Sequence, residues 1–119
     1  NKKDNKMPHL TVEYGGVEMA QEALPELHRT LLNSALFEEH DLKIRLCRYE
    51  QADYLVGGSK QAFAHLTLRL LEGRSKNAQA ELSRALAETV QKLTAQAPSI
   101  QISVDLCDMV RATYTKTHR

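Results

Sequence analysis

Gly73-Arg74-Ser75 stand where an apolar segment, AFAHLTLRLL over 62–71, gives way to residues of helical spacing. The free N–H groups at a helix start and a guanidinium beside them make a seat for a carboxylate or a phosphate. The same three residues also fit a solvated arginine followed by an ordinary serine N-cap, and so short a pattern leaves both readings open. His9 and His65 each sit in an alternating segment and read as ordinary strand histidines. Cys47 and Cys107 are lone thiols with no CxxC or Cys/His cluster around them. They read as buried free cysteines, and no metal site is expected.

These residues need elements to position them. HLTVEY over 9–14 alternates Leu10 and Val12 with Thr11 and Glu13, which predicts a half-buried strand ending at Gly15-Gly16. Pro25 suits the first turn of a helix, and Leu24, Leu27, Leu31 and Ala35 recur at helical spacing to about Leu36. Leu42, Ile44 and Leu46 alternate with Lys43, Arg45 and Cys47 in a second strand reaching about Glu50. Residues 51–60, with Gly57-Gly58-Ser59, form a connection with room for a short hairpin. The order then repeats. Residues 62–71 are rich in strand formers, and Ser75 caps a helix bearing Ala78, Leu82, Ala85, Leu86, Val90 and Leu93. Pro98 ends that helix, and Ile100, Ile102, Val104 and Leu106 alternate in the last strand. The tail, 109–119, has little apolar material, and its order is expected to depend on a neighbour.

The predicted fold is therefore α+β: two tandem βαβ units, about 8–50 and 62–108, making a four-stranded sheet with two helices on one face. The other face is left bare. Its partly apolar character predicts association.

The chain has 119 residues, 42% of them hydrophobic and with a formal net charge of +1. That balance suits one domain, 7–119, and residues 1–6 (NKKDNK) read as a tag remnant or an upstream extension before Met7-Pro8. The near-neutral charge, with no basic block interleaved with aromatics, argues against a nucleic-acid partner. No run is long enough to span a membrane and no signal peptide is visible, so a cytoplasmic location is expected.

Two separated stretches, MPHLTVEY at 7–14 and AFAHLTLRLLEGRS at 62–75, resemble the 5-carboxymethyl-2-hydroxymuconate isomerases of the tautomerase superfamily. LLEGRS followed by an amphipathic helix also looks like the opening of a 4-oxalocrotonate tautomerase subunit. The resemblance runs from Met7 through both halves, about 110 residues. It is looser in the first helix and the tail.

That resemblance implies a tautomerase-type fold and a cofactor-independent isomerase acting on 5-carboxymethyl-2-hydroxymuconate, or a related unsaturated polycarboxylate, in homoprotocatechuate catabolism. It implies a homotrimer and an amino-terminal proline as the acid/base group, which places catalysis on Pro8. The second half has Ala64 where the first has Pro8, and the first has Val17-Glu18 where the second has Gly73-Arg74, so one composite site per chain is implied. Its substrate-binding residues would be Arg74 and Arg45, some of them contributed across a subunit interface. Lys43, two residues away and on the same strand face, is the alternative to Arg45, although only arginine can hold a carboxylate bidentately. Arg48 belongs to the other strand face and reads as solvated. Tyr114 is implied more weakly, as an aromatic from the tail that covers the pocket or stays disordered at the surface. No cofactor or metal is implied.

Two rivals remain at the level of sequence. A ferredoxin-like ligand-binding module shares the βαββαβ order but has no reason to begin with Met-Pro or to keep these arginines. A tautomerase of a different substrate would share all of these residues.

Overall fold

The computed structural model describes residues 7–119; the expected tag remnant or extension at 1–6 lies outside them. The elements run β1 (His9–Gly15), α1 (Ala23–Asn33), β2 (Lys43–Tyr49), β3 (Ala62–Leu71), α2 (Lys76–Leu93) and β4 (Ile100–Met109), with single turns of 3-10 helix at Glu39–Asp41, Gln51–Asp53 and Arg111–Thr113. The strands form one sheet in the order β2-β1-β3-β4. β1 is parallel to β2 and β3 to β4, as helical crossovers require, while β1 and β3 pair antiparallel at the centre. Two βαβ units thus meet head to tail, which is the α+β tautomerase-type fold expected.

The core lies between the sheet and the two helices. Leu10, Val12, Leu66 and Leu68 alternate inward from the central strands and are fully buried against Leu27 and Leu31 of α1 and Leu86 and Val90 of α2. Their spacing of two in strands and of three to four in helices turns one face of each element toward the same interior. The helices touch through a hydrogen bond of 2.6 Å between the Thr30 and Thr89 hydroxyls. Ser75 caps α2 as expected, its side chain accepting from the Ala78 N–H at 3.1 Å.

Three details depart from the sequence reading. α1 stops at Asn33 rather than about Leu36, because Ala35 turns into the left-handed region at a φ of 62°. The bare face of the sheet is mainly polar, carrying His9, Thr11, Glu13, Lys43 and Arg45. Its apolar share includes Tyr49 and Phe63, which lie at one end with ring centroids 6.0 Å apart. Cys47 and Cys107 are free but only half-buried, because both alternate onto that face. The connection does contain a hairpin, closed by hydrogen bonds between Val56 and Ser59 in both directions around Gly57 and Gly58, whose φ values are positive. Among the described residues no helix is long and apolar enough to cross a membrane.

Candidate active site

Antiparallel pairing of β1 with β3 sets His9 opposite Arg69. The start of β1 and the end of β3 therefore share one end of the sheet, and the parallel partners bring Lys43 and Cys107 to that end as well. Pro8 directly precedes β1, is fully buried and continues the inward alternation of Leu10 and Val12. Met7 before it has a φ of 104°, a conformation that costs a non-glycine residue about 1–3 kcal/mol.

Arg74 follows the end of β3 at this sheet end, after Gly73, whose φ of 126° lets the chain leave the strand sharply. Its Nη2 donates to the Leu36 carbonyl at 2.6 Å, and the guanidinium lies 5.2 Å from the centroid of the buried Phe37 ring. Nη1 is buried and has no hydrogen-bond partner among the described residues. Arg74 is thus held by the loop after α1 and is not a freely solvated side chain. Burial, and next the charge of Arg111, draw its pKa downward. Arg111 is itself fixed, its backbone N–H donating to Glu72 Oε2 at 3.0 Å and its Nη2 to the Glu72 carbonyl at 2.8 Å. The unused buried donor of the Arg74 guanidinium favours an anion.

Arg45 and Lys43 lie on the bare face with His9, across the sheet from the inward alternation that Pro8 follows. Arg45 is exposed, with Nη2 3.4 Å from the Thr11 hydroxyl. Lys43 reaches back to donate to the Asp41 carbonyl at 2.5 Å. One protomer therefore brings Pro8 and Arg74 to one side of the sheet end and Arg45 and Lys43 to the other. Arg48 lies on the strand face opposite Lys43 and Arg45, at the far end of β2 beside Tyr14, and pairs with Glu18 at 3.1 Å, both exposed.

The tail is ordered. After the turn at Arg111–Thr113, the Tyr114 hydroxyl meets His9 Nε2 at 2.9 Å, the two rings packing edge to face at 6.0 Å. Lys116 Nζ comes within 3.7 Å of Asp41 Oδ1. Burial holds His9 below the ordinary imidazole value of 6.5, helped by the charges of Lys43, Arg45, Lys116 and Arg69. His65 makes a 2.6 Å hydrogen bond to Ser103, its neighbour across β4.

Phe37, Asp41, Arg111 and Lys116 escaped the sequence reading because they come from loops and the tail, where no period marks them. Among the described residues, Glu38, His40 and Asp41 bring possible ligand atoms within 4.8 Å of one another. Two of the three are exposed, and the Lys116 ammonium competes there with any cation. A groove of about 420 Å³ between α1 and α2, lined by Thr30, Leu36, Leu82, Ala85 and Thr89 among others, contains none of the candidate site residues read from the sequence.

The family model of 5-carboxymethyl-2-hydroxymuconate isomerase matches residues 8–118. A 5-carboxymethyl-2-hydroxymuconate isomerase from Deinococcus radiodurans R1 superposes with a TM-score of 0.78 at 26% identity, over 97% of this chain and 92% of that one. A 5-carboxymethyl-2-hydroxymuconate delta-isomerase gives 0.72 at 22% identity, over 100% and 93% of the two chains. A fused 4-OT wild type symmetric trimer, designated Q0, gives 0.72 at 23%, over 86% and 85%. At these last two identities the likeness is one of fold. No curated protein sequence matches the chain.

Proposed function

Since the chain belongs to the 5-carboxymethyl-2-hydroxymuconate isomerase family and is an isomerase, we infer that it moves a proton within 5-carboxymethyl-2-hydroxymuconate or a closely related unsaturated polycarboxylate, with Pro8 as the proton carrier. The observation that carries this reading is the buried, unpartnered Nη1 of Arg74 at the sheet end that begins with Pro8. The family match also starts at residue 8.

With Pro8 at the amino terminus its nitrogen is a secondary amine. An α-amino group titrates near 7.7–8.0 in the open, and burial with arginine charge nearby lowers that, leaving a neutral base at physiological pH. The amine takes the enol hydroxyl proton and returns a proton to a carbon of the conjugated chain. Arg74 holds a carboxylate through Nη1 and stabilises negative charge developing on oxygen. With Met7 attached, the same nitrogen is a tertiary amide with almost no basicity.

Arg45 completes the site from the bare face, in this reading across the interface of a homotrimer. The uncovered sheet and the trimeric form of a 4-OT relative of the same fold support that assembly. Residues 7–119 act as one domain of two βαβ repeats, placed in homoprotocatechuate breakdown in the cytoplasm, and the chemistry calls for no cofactor.

The test follows the ultraviolet absorbance of 5-carboxymethyl-2-hydroxymuconate with two proteins, the 119-residue chain and one beginning at Pro8. Activity is expected only in the second. Equal activity removes Pro8 from the chemistry, and inactivity of both removes this substrate.

A further inference from the structure

Gln79 holds a place in α2 that the rest of the helix gives to aliphatic side chains. The buried positions run Gln79, Leu82, Leu86, Val90 and Leu93, one stripe at steps of three and four. An amide in that stripe, 6% exposed, is tolerated only when its polar atoms are paired. Gln79 Nε2 has two acceptors, the Arg74 carbonyl at 3.2 Å and Asp108 Oδ1 at 3.3 Å. Neither a carbonyl nor a carboxylate can donate, so the amide turns its nitrogen to both, and the two hydrogens of one NH2 group serve the two.

The Arg74 carbonyl is where this pairing matters. Ser75 is the N-cap of α2, and its own carbonyl takes the first helical bond, from the Gln79 backbone N–H at 3.1 Å. The carbonyl one residue earlier lies outside the helical ladder. Gly73 on its other side has a φ of 126°, where the backbone has no Cβ to restrain it. The Gln79 side chain supplies the missing partner and ties the Arg74 main chain, through Asp108, to β4 beside Leu70 of β3. The far end of the same residue is tied by Nη2 to the Leu36 carbonyl at 2.6 Å. Arg74 is therefore held at its main chain by α2 and β4 and at its tip by the loop after α1, while Nη1 stays buried without a partner among the described residues. A long side chain fixed in advance has less rotamer freedom to lose when it meets a ligand.

We propose that Gln79 is a positioning residue for Arg74, an amide set into the core stripe of α2 that holds the Arg74 main chain where Nη1 can meet a substrate carboxylate. The inference rests on the reading of Arg74 as the carboxylate seat given above.

Its test is a double-mutant cycle on equilibrium binding, by titration calorimetry of trans,trans-muconate into the full chain beginning at Pro8. Muconate is a six-carbon diene with two carboxylates and no enol hydroxyl, so it reports the seat and not the proton transfer. Gln79→Met keeps an unbranched side chain of similar length and loses the donor. It should raise Kd about three- to tenfold, the range for loosening one charge-assisted hydrogen bond. In an Arg74→Ala background the same change should shift Kd by less than about twofold, because the residue it positions is gone. A merely structural amide gives the same factor in both backgrounds, and that result, or no effect in either, overturns the proposal. Asp108→Leu frees the amide from the β4 side and should repeat the pattern at smaller size, which decides the question if Gln79→Met does not fold by circular dichroism. A parent protein that binds no muconate, or an Arg74→Ala protein that binds it equally well, overturns the seat and the positioning together. Absent isomerase turnover with the coupling intact refutes the proposed reaction and leaves Gln79 in its role.

Discussion

Arg74 donates from Nη2 to the carbonyl of Leu36, 38 residues earlier in the chain, at 2.6 Å, and this contact turns its other terminal nitrogen into a buried donor without a partner. A buried unsatisfied donor costs about 1–3 kcal/mol, so the protein pre-forms half of an ion pair and leaves the ligand to complete it. Arg74→Ala should lower kcat/KM about 10- to 100-fold, the range expected for losing a charge-assisted hydrogen bond. Steady-state kinetics on the protein beginning at Pro8 measures this, and unaltered kinetics would remove Arg74 from the site.

Phe37 backs the guanidinium at 5.2 Å and is itself 7% exposed. A cation–π contact at such a position is worth about 0.5–1 kcal/mol. Phe37→Leu keeps an apolar filling but loses the ring, so KM should rise about two- to fivefold with kcat little changed. A fall confined to kcat would give the ring a different role.

His9, bound to Tyr114, carries a pH dependence. Its pKa is lowered in the folded protein, by burial first and then by Lys43 and the other cations, so near pH 6 the unfolded chain binds more protons than the folded one. The stability this contact supplies is present above the unfolded value of 6.5 and is lost as pH falls below it toward the lower folded value. Hydrogen exchange at the Thr113 and Tyr114 amides, corrected for intrinsic rates, should therefore be faster at about pH 5 than at about pH 7.5. Equal protection at both would uncouple the tail from His9.

Gly16 follows β1 at a φ of 76°, and a Cβ there would lie 2.8 Å from the Ala62 Cα and 2.6 Å from the Tyr54 hydroxyl. Gly16→Ala combines a left-handed alanine, costing about 1–2 kcal/mol, with a backbone clash. A loss of at least about 1 kcal/mol in urea unfolding is expected. This position is at the far end of β1 from Pro8, so activity per folded molecule should be kept.

Much of the scaffold was legible because each strand and each helix buries one face, and burial writes its period into the chain. Residues 62–71 read as a strand from end to end, and Ser75 announced the start of α2. The end of α1 was less visible, since Leu36 keeps the helical spacing while a single alanine dihedral breaks the helix before it. The candidate site was legible in unequal parts. Arg74 is marked by its place at a strand-to-helix junction, whereas Pro8 and Arg45 were reached through family resemblance and not through spacing. The tail was opaque because it is held by isolated polar contacts, Arg111 to Glu72 and Tyr114 to His9, whose partners lie 39 and 105 residues away. The bare face is the more polar of the two because the central strands turn large aliphatic side chains inward, Leu10, Val12, Leu66 and Leu68 among them.

The hairpin at Val56–Ser59 is exposed and lies between the two βαβ units, which elsewhere meet through the central β1–β3 ladder and the contact of α1 with α2. A cut between Gly57 and Gly58 would leave each piece with an unpaired strand edge that the other fits, so the two halves are natural partners for reassembly as separate chains. Pro8 would then travel on one piece and Arg74 on the other, and the recovery of isomerase activity would report their union.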